Sequence, residues 1–151
     1  MHLALILLLG PLFLSGTVSK VYDGDTITLS TAQGPAKIRL YGIDCPELRQ
    51  EGGQEARSGL LALLGQSAPV SVVSLARDRY KRHVGLVVTP GGQVVNHRLV
   101  GEGLCWHYRD YSRDDQGLLR MEGWARRHRL GVFAKPGAVP PWEWRRARRK
   151  K

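Results

Sequence analysis

The stretches Val21-Tyr-Asp-Gly-Asp-Thr-Ile-Thr-Leu29 and Ile38-Arg-Leu-Tyr-Gly-Ile-Asp-Cys-Pro-Glu47 decide how this chain is read. Each is a β-branched or alternating run that meets a turn rich in glycine, proline and aspartate. Working outward, strands are expected over residues 16–22, 26–31 and 36–43, separated by Asp23-Gly24-Asp25 and Gln33-Gly34-Pro35. Two more are expected over 70–75 and 84–89, with the turn 78–82 between them. Helical spacing places one helix over 54–64. Asn96 is expected to cap a short helix running to Glu102 and stopped by Gly103. Asp114 or Asp115 is expected to cap a third, over 116–129, burying Leu118, Leu119, Met121, Trp124 and Ala125. Five strands with about three helices between and after them predict an α+β chain built on a Greek-key barrel of the OB type.

The chain has 151 residues, suiting one compact domain, and a hydrophobic fraction of 42 % that argues against global disorder. Its two cysteines, Cys45 and Cys105, exclude a disulfide-stapled scaffold and an all-cysteine zinc site. Sixty residues apart, they read as two free thiols, with one disulfide between them as the alternative if the chain is exported. Neither HExxH nor GxxxxGK occurs, which disfavours zincin and P-loop chemistry. The net charge of +10 calls for an anionic partner, nucleic acid or an acidic membrane surface.

The ends of the chain differ from its middle. Residues 1–15 carry no charged side chain, and 3–9 are an unbroken apolar run. That is too short to span a bilayer but matches the core of a signal peptide, with Ser15 and Gly16 small enough to flank a cleavage site. Export is expected, with an uncleaved membrane anchor or a buried apolar segment as the alternatives. At the other end, residues 137–151 form a Pro/Trp segment and a basic tail, with six positive charges in the last seven residues. The tail reads as solvated and held open by self-repulsion, adding salt-sensitive attraction for phosphates. Trp142 and Trp144 read as docking the C-terminus against the barrel, and Trp124 as core. The domain proper is expected over 16–136.

Three short segments carry unusual chemistry: Asp23-Gly24-Asp25-Thr26, the strand and turn from Ile38 to Glu47, and Asp78-Arg79-Tyr80-Lys81-Arg82. Taken singly each is a plain turn or an exposed strand. Taken together, Asp25 and Asp44 lie near strand ends that converge if the first two segments pair. Two hard carboxylates with a backbone carbonyl and waters suit Ca²⁺ or, less well, Mg²⁺. Glu47 sits where a base reaches a water near such a cation. Arg39 and Arg82 are permanently charged forks matched to phosphate oxygens. These are the parts needed to hydrolyse a phosphodiester. His83 reads as a strand or turn residue rather than a catalyst.

These segments, with Val95-Asn96 and Gly101-Glu-Gly-Leu104, resemble the staphylococcal nuclease (thermonuclease) family, in order and without large gaps over residues 16–133. The resemblance implies an OB-fold, Ca²⁺-dependent phosphodiesterase acting on DNA and RNA and leaving 3′-phosphate products. By position it implies that Asp25 and Asp44 are metal-ligating carboxylates and that the Cys45 backbone carbonyl is a third ligand. Glu47 takes the place of the general base, Arg39 and Arg82 that of the phosphate clamp, and Tyr80 and Tyr111 that of tyrosines bordering the nucleotide. Single-stranded substrate, a monomeric enzyme and no obligate protein partner are expected. Cys45 stands where threonine is frequent, and Lys81 where glycine is. The alternative is a non-catalytic OB module that binds nucleic acid; a membrane-surface protein would leave the middle of the chain unexplained.

Overall fold

The computed structural model describes residues 11–65 and 69–150. Five strands close a barrel: β1 (Leu12–Val21), β2 (Thr26–Thr31), β3 (Gly34–Leu40), β5 (Pro69–Arg77) and β6 (His83–Val88), in the order β1-β2-β3-β6-β5. All pairings are antiparallel except β3 with β6, the crossover that makes the path a Greek key rather than a meander. Two short strands, β4 (Ile43–Asp44) and β7 (Trp106–His107), pair antiparallel outside it. The helices are α1 (Gly53–Leu64), α2 (Val95–Gly101), α3 (Arg109–Ser112), α4 (Gln116–Arg127) and α5 (Pro141–Arg149). The expected α+β barrel is therefore present, with five α-helices among the described residues rather than about three.

The core follows from strand alternation. Ile27, Leu29, Ile38, Leu40, Val70, Val72 and Val87 point inward and are buried, and Leu60, Leu99, Val100 and Leu118 close over them from the helices. The strand expected from Gly16 begins at Leu12, whose partner is Ser74, because the apolar run continues the β1–β5 ladder. The expected strand over 36–43 is two strands. At Gly42 the backbone takes φ 73°, and a Cβ there would sit 2.5 Å from Leu118. That turn ends β3 and lets the short β4 leave the barrel to pair with β7.

Several expectations are corrected. Cys45 and Cys105 are not free thiols but a disulfide, with Cα atoms 4.2 Å apart. The register Asp44↔Trp106 explains it: the next pair along two antiparallel strands is Cys45 opposite Cys105, a proximity invisible at a separation of sixty residues. Trp124 is not core. It is 49 % exposed and stacks on His128, while Glu122 takes the buried face of α4, paired to Arg109 and Arg126. Of the two caps expected for α4, Asp115 is the one that forms, accepting from the Leu118 amide at 2.9 Å. Asn96 lies inside α2 rather than at its cap, and ties three elements together. Its Oδ1 accepts from the Val87 amide, and its amide donates to Tyr41 and Gly85 carbonyls. The tail is not an open coil: Pro140 and Pro141 start α5, and Pro141 is buried. Residues 1–10 of the expected leader, and Lys151, lie outside the described residues.

Candidate active site

The β1–β2 turn is packed against the end of β4. A Cβ on Gly24 would lie 2.7 Å from the Cys45 Cβ and 2.8 Å from the Ala56 Cβ, so only glycine lets the turn approach so closely. This contact brings Asp25 to Asp44. The Cys45 amide donates to Asp25 Oδ2 at 2.8 Å, and Thr26 Oγ1 donates to Asp25 Oδ1 at 3.2 Å. Both carboxylates are buried, Asp25 at 5 % and Asp44 at 2 % exposure. Buried anions this close need cations beside them.

Arg39, from β3, is one such cation. Its Nη2 lies 3.3 Å from Asp25 Oδ2 and 3.2 Å from Asp44 Oδ1. Its Nη1 donates to the Leu40 and Ile43 carbonyls, both at 3.0 Å. The guanidinium is thus fixed across the Gly42 turn by three hydrogen bonds and the Asp25 ion pair. Burial pushes the Asp44 carboxyl above the usual range, against the pull of an Arg145 hydrogen bond; the neighbouring Asp25 charge pushes the same way and Arg39 opposes it.

Glu47 follows Pro46 in a tight turn. Its amide donates to Gln50 Oε1 at 3.2 Å, and its carbonyl accepts from the Gln50 amide at 2.8 Å. Its carboxylate, 37 % exposed, stands at the edge of the Asp25–Asp44 site, joined to it through Arg145. Asp25, Asp44, Arg39 and Glu47 are therefore brought into one network. Arg82 is not drawn into it. Its Nε donates to Asp78 Oδ2 at 2.7 Å, in a turn where Lys81 takes φ 62°, the left-handed conformation that glycine adopts most easily. Burial pushes Asp78 upward, but the Arg82 pair and the amides of Arg82 and Tyr80 outweigh it and hold the carboxyl below its ordinary range. Tyr80 is 64 % exposed and lies beside Arg79 and Arg82. Tyr111 is 78 % exposed and packs on Tyr108. His83 is a buried strand residue bonded to Ser74 Oγ.

Among the described residues no group of three or more His, Cys, Asp and Glu side chains is gathered for a metal. The set is smaller: two converging carboxylates and the peptide of Cys45. It fits a hard, oxygen-seeking divalent cation that takes its remaining ligands from water and substrate phosphate. It does not fit a soft metal, because both cysteine sulfurs are in the disulfide.

Sequence reasoning missed two residues here. Asp23 Oδ1 accepts from the Asp25 amide at 3.0 Å, and burial, then the Asp25 charge, push its pKa up to about 6. The Asp-Gly-Asp motif held that signal. Arg145 comes from α5, where it was one basic residue among many. Its Nη2 lies 2.7 Å from Asp44 Oδ2 and its Nη1 2.9 Å from Glu47 Oε1.

Comparison with known proteins gives the same direction. The family model described as Staphylococcal nuclease homologue matches residues 37–135. A Shigella flexneri protein named micrococcal nuclease is 39 % identical over 141 residues, covering 87 % of this chain and 80 % of that protein. An Escherichia coli O157:H7 protein named uncharacterized endonuclease is 36 % identical over 130 residues, covering 86 % and 84 %. The Arabidopsis thaliana staphylococcal-like nuclease CAN1 is 36 % identical over 113 residues, covering 75 % of this chain and 34 % of the longer plant protein.

Proposed function

The chain belongs to the staphylococcal nuclease family and is a nuclease, and from that premise we propose a Ca²⁺-dependent phosphodiesterase that cuts DNA and RNA with little sequence preference. The observation that carries this reading is the convergence of Asp25 and Asp44 under one arginine, with Glu47 at the rim.

Asp25, Asp44 and the Cys45 carbonyl would hold the cation, which when bound supplies Lewis-acid polarisation of a phosphoryl oxygen. Glu47 takes a proton from a water positioned for in-line attack on phosphorus. The P–O5′ bond breaks, the 5′-oxygen of the downstream fragment takes a proton from solvent water and leaves as a hydroxyl, and the upstream fragment keeps the phosphate on its 3′-oxygen. Arg39 is pre-organised by its two carbonyl contacts, so its charge is already aimed when negative charge builds on the phosphoryl oxygens. Arg82 reaches the phosphate by exchanging Asp78 for a substrate oxygen, an exchange that its partial exposure allows. Exposed Tyr80 and Tyr111 offer ring faces to unpaired bases, which supports a preference for single strands. The enzyme acts as a monomer.

Export is part of the same proposal. The Cys45–Cys105 bond is of the kind that persists in oxidising compartments. Among the described residues no helix is long and apolar enough to cross a membrane. A cut between Ser15 and Gly16 would remove four β1 residues, Leu12 to Ser15, that pair with β5, so processing that keeps the barrel whole falls before Leu12.

One assay tests the reading. Purified protein is incubated with single-stranded DNA, RNA or duplex, with Ca²⁺ or with chelator. Ca²⁺-dependent cleavage, fastest on single strands, is expected. Cleavage indifferent to chelation contradicts the metal role, and tight binding without cleavage favours the non-catalytic OB module.

A further inference from the structure

Helix α5 is delivered to the active site by a specific route. Gln50, which caps the Glu47 turn through its side-chain oxygen, donates its amide to the Val139 carbonyl at 2.7 Å. Two prolines then set the helix start, and Trp142 lies against Tyr108 with ring centroids 5.4 Å apart. One turn further on, Arg145 leaves the otherwise exposed basic face and turns inward. Its fork covers both oxygens of Asp44, at 2.7 Å to Oδ2 and 3.3 Å to Oδ1, and reaches Glu47 Oε1 at 2.9 Å.

We propose that α5 is a latch: Arg145 holds the cation position on Asp44 and Glu47, so docking of this helix and binding of a divalent cation exclude one another. The inference rests on the reading of Asp25 and Asp44 as the metal carboxylates. Asp44 Oδ1 is already shared by Arg39 and Arg145, and Oδ2 is taken by Arg145 alone. A divalent ion on Asp44 must displace a guanidinium nitrogen and would then stand beside a second, uncompensated positive charge. Arg39 cannot yield, because its Nη1 is fixed on two backbone carbonyls. Arg145 can, because α5 is anchored at its start, by the Gln50–Val139 bond, the burial of Pro141 and the Trp142–Tyr108 contact, and the fork itself holds the turn beyond. Arg146, Arg148 and Arg149 remain exposed on the same helix, where a polyanion can take hold of them. Nucleic acid that draws the helix away therefore vacates the cation position. By linkage, substrate and metal then raise each other's affinity through the helix, in addition to their direct contact at the phosphate.

The test is direct Ca²⁺ binding by titration calorimetry on the full chain, without nucleic acid. Arg145→Ala is expected to bind Ca²⁺ at least tenfold more tightly than wild type. Trp142→Ala, which loosens the anchor and leaves every carboxylate in place, is expected to give a smaller gain in the same direction. The anchor also gives an optical signal. Ca²⁺ should red-shift tryptophan emission as Trp142 leaves Tyr108, and Trp142→Phe should abolish that component. Unchanged or weaker Ca²⁺ binding in both Arg145→Ala and Trp142→Ala overturns the latch. Asp44→Asn separates the two ideas. If it abolishes Ca²⁺ binding while the other variants match wild type, the latch alone fails. If Asp44→Asn binds Ca²⁺ like wild type, the metal-site reading fails and the latch with it.

Discussion

Two arginines reach Asp44 from parts of the chain more than a hundred residues apart, and they are held in opposite ways. Arg39 comes from a barrel strand, is mostly buried, and is pinned by two carboxylates and two carbonyls of its own turn. Arg145 comes from a terminal helix, is about a third exposed, and touches only the two acids, Asp44 and Glu47. The first arrangement is built into the fold; removing it leaves buried charge behind. The second is laid on top of the fold, and solvent, a cation or a polyanion can replace it.

Substitutions break this contrast in a definite order. Arg39→Ala should have the largest effect, about 10³-fold or more in turnover. It also leaves Asp25 and Asp44 buried without their shared partner, a loss of about 3 kcal/mol that a denaturant titration would read. Arg82→Ala should lose activity by orders of magnitude with little change in the melt, since its pair with Asp78 lies at the surface. Arg145→Ala should also leave the melt nearly unchanged; if it loses as much stability as Arg39→Ala, the difference between a pinned and an exchangeable arginine is wrong. Reducing the Cys45–Cys105 bond opens a 60-residue loop, worth about 4 kcal/mol on chain-entropy grounds. The expected result is a lower melting temperature with reductant, matched by Cys105→Ser.

The smallest effect is a pH dependence at Asp23. Its native pKa is raised to about 6 from an ordinary value of 3.8. Between those pH values the native state holds a proton that the unfolded state has released. Stability of the metal-free protein should therefore fall as pH rises through that window and level off above it. Thermal melts of wild type and Asp23→Asn across pH 3.5–7 check this, since the variant should lack that part of the slope.

The barrel was legible because its signals are local. Alternation in β2, β5 and β6 and the turn chemistry of Asp23-Gly24-Asp25 say where strands begin and stop. Asp25, Asp44 and Arg39 were legible for a related reason: they sit at strand ends, and pairing β2 with β3 puts Thr26 opposite Arg39. What escaped depends on contacts between distant segments. The disulfide needed the β4–β7 register. Trp124 was misplaced because helical spacing does not show that Glu122 takes the buried face with two arginines. Arg145 was hidden among identical charges; only the prolines and tryptophans before it hinted that the tail would fold back.

Single-turnover cleavage of single-stranded DNA by Glu47→Gln, with Ca²⁺ saturating and binding measured in parallel, tests the central claim most directly. Loss of the base while the carboxylates, arginines and fold remain should slow the chemical step about 10²–10⁴-fold, with DNA affinity and melting temperature close to wild type. A rate near wild type would show that Glu47 does not activate the water, and that the site built around Asp25 and Asp44 does not work in the way described.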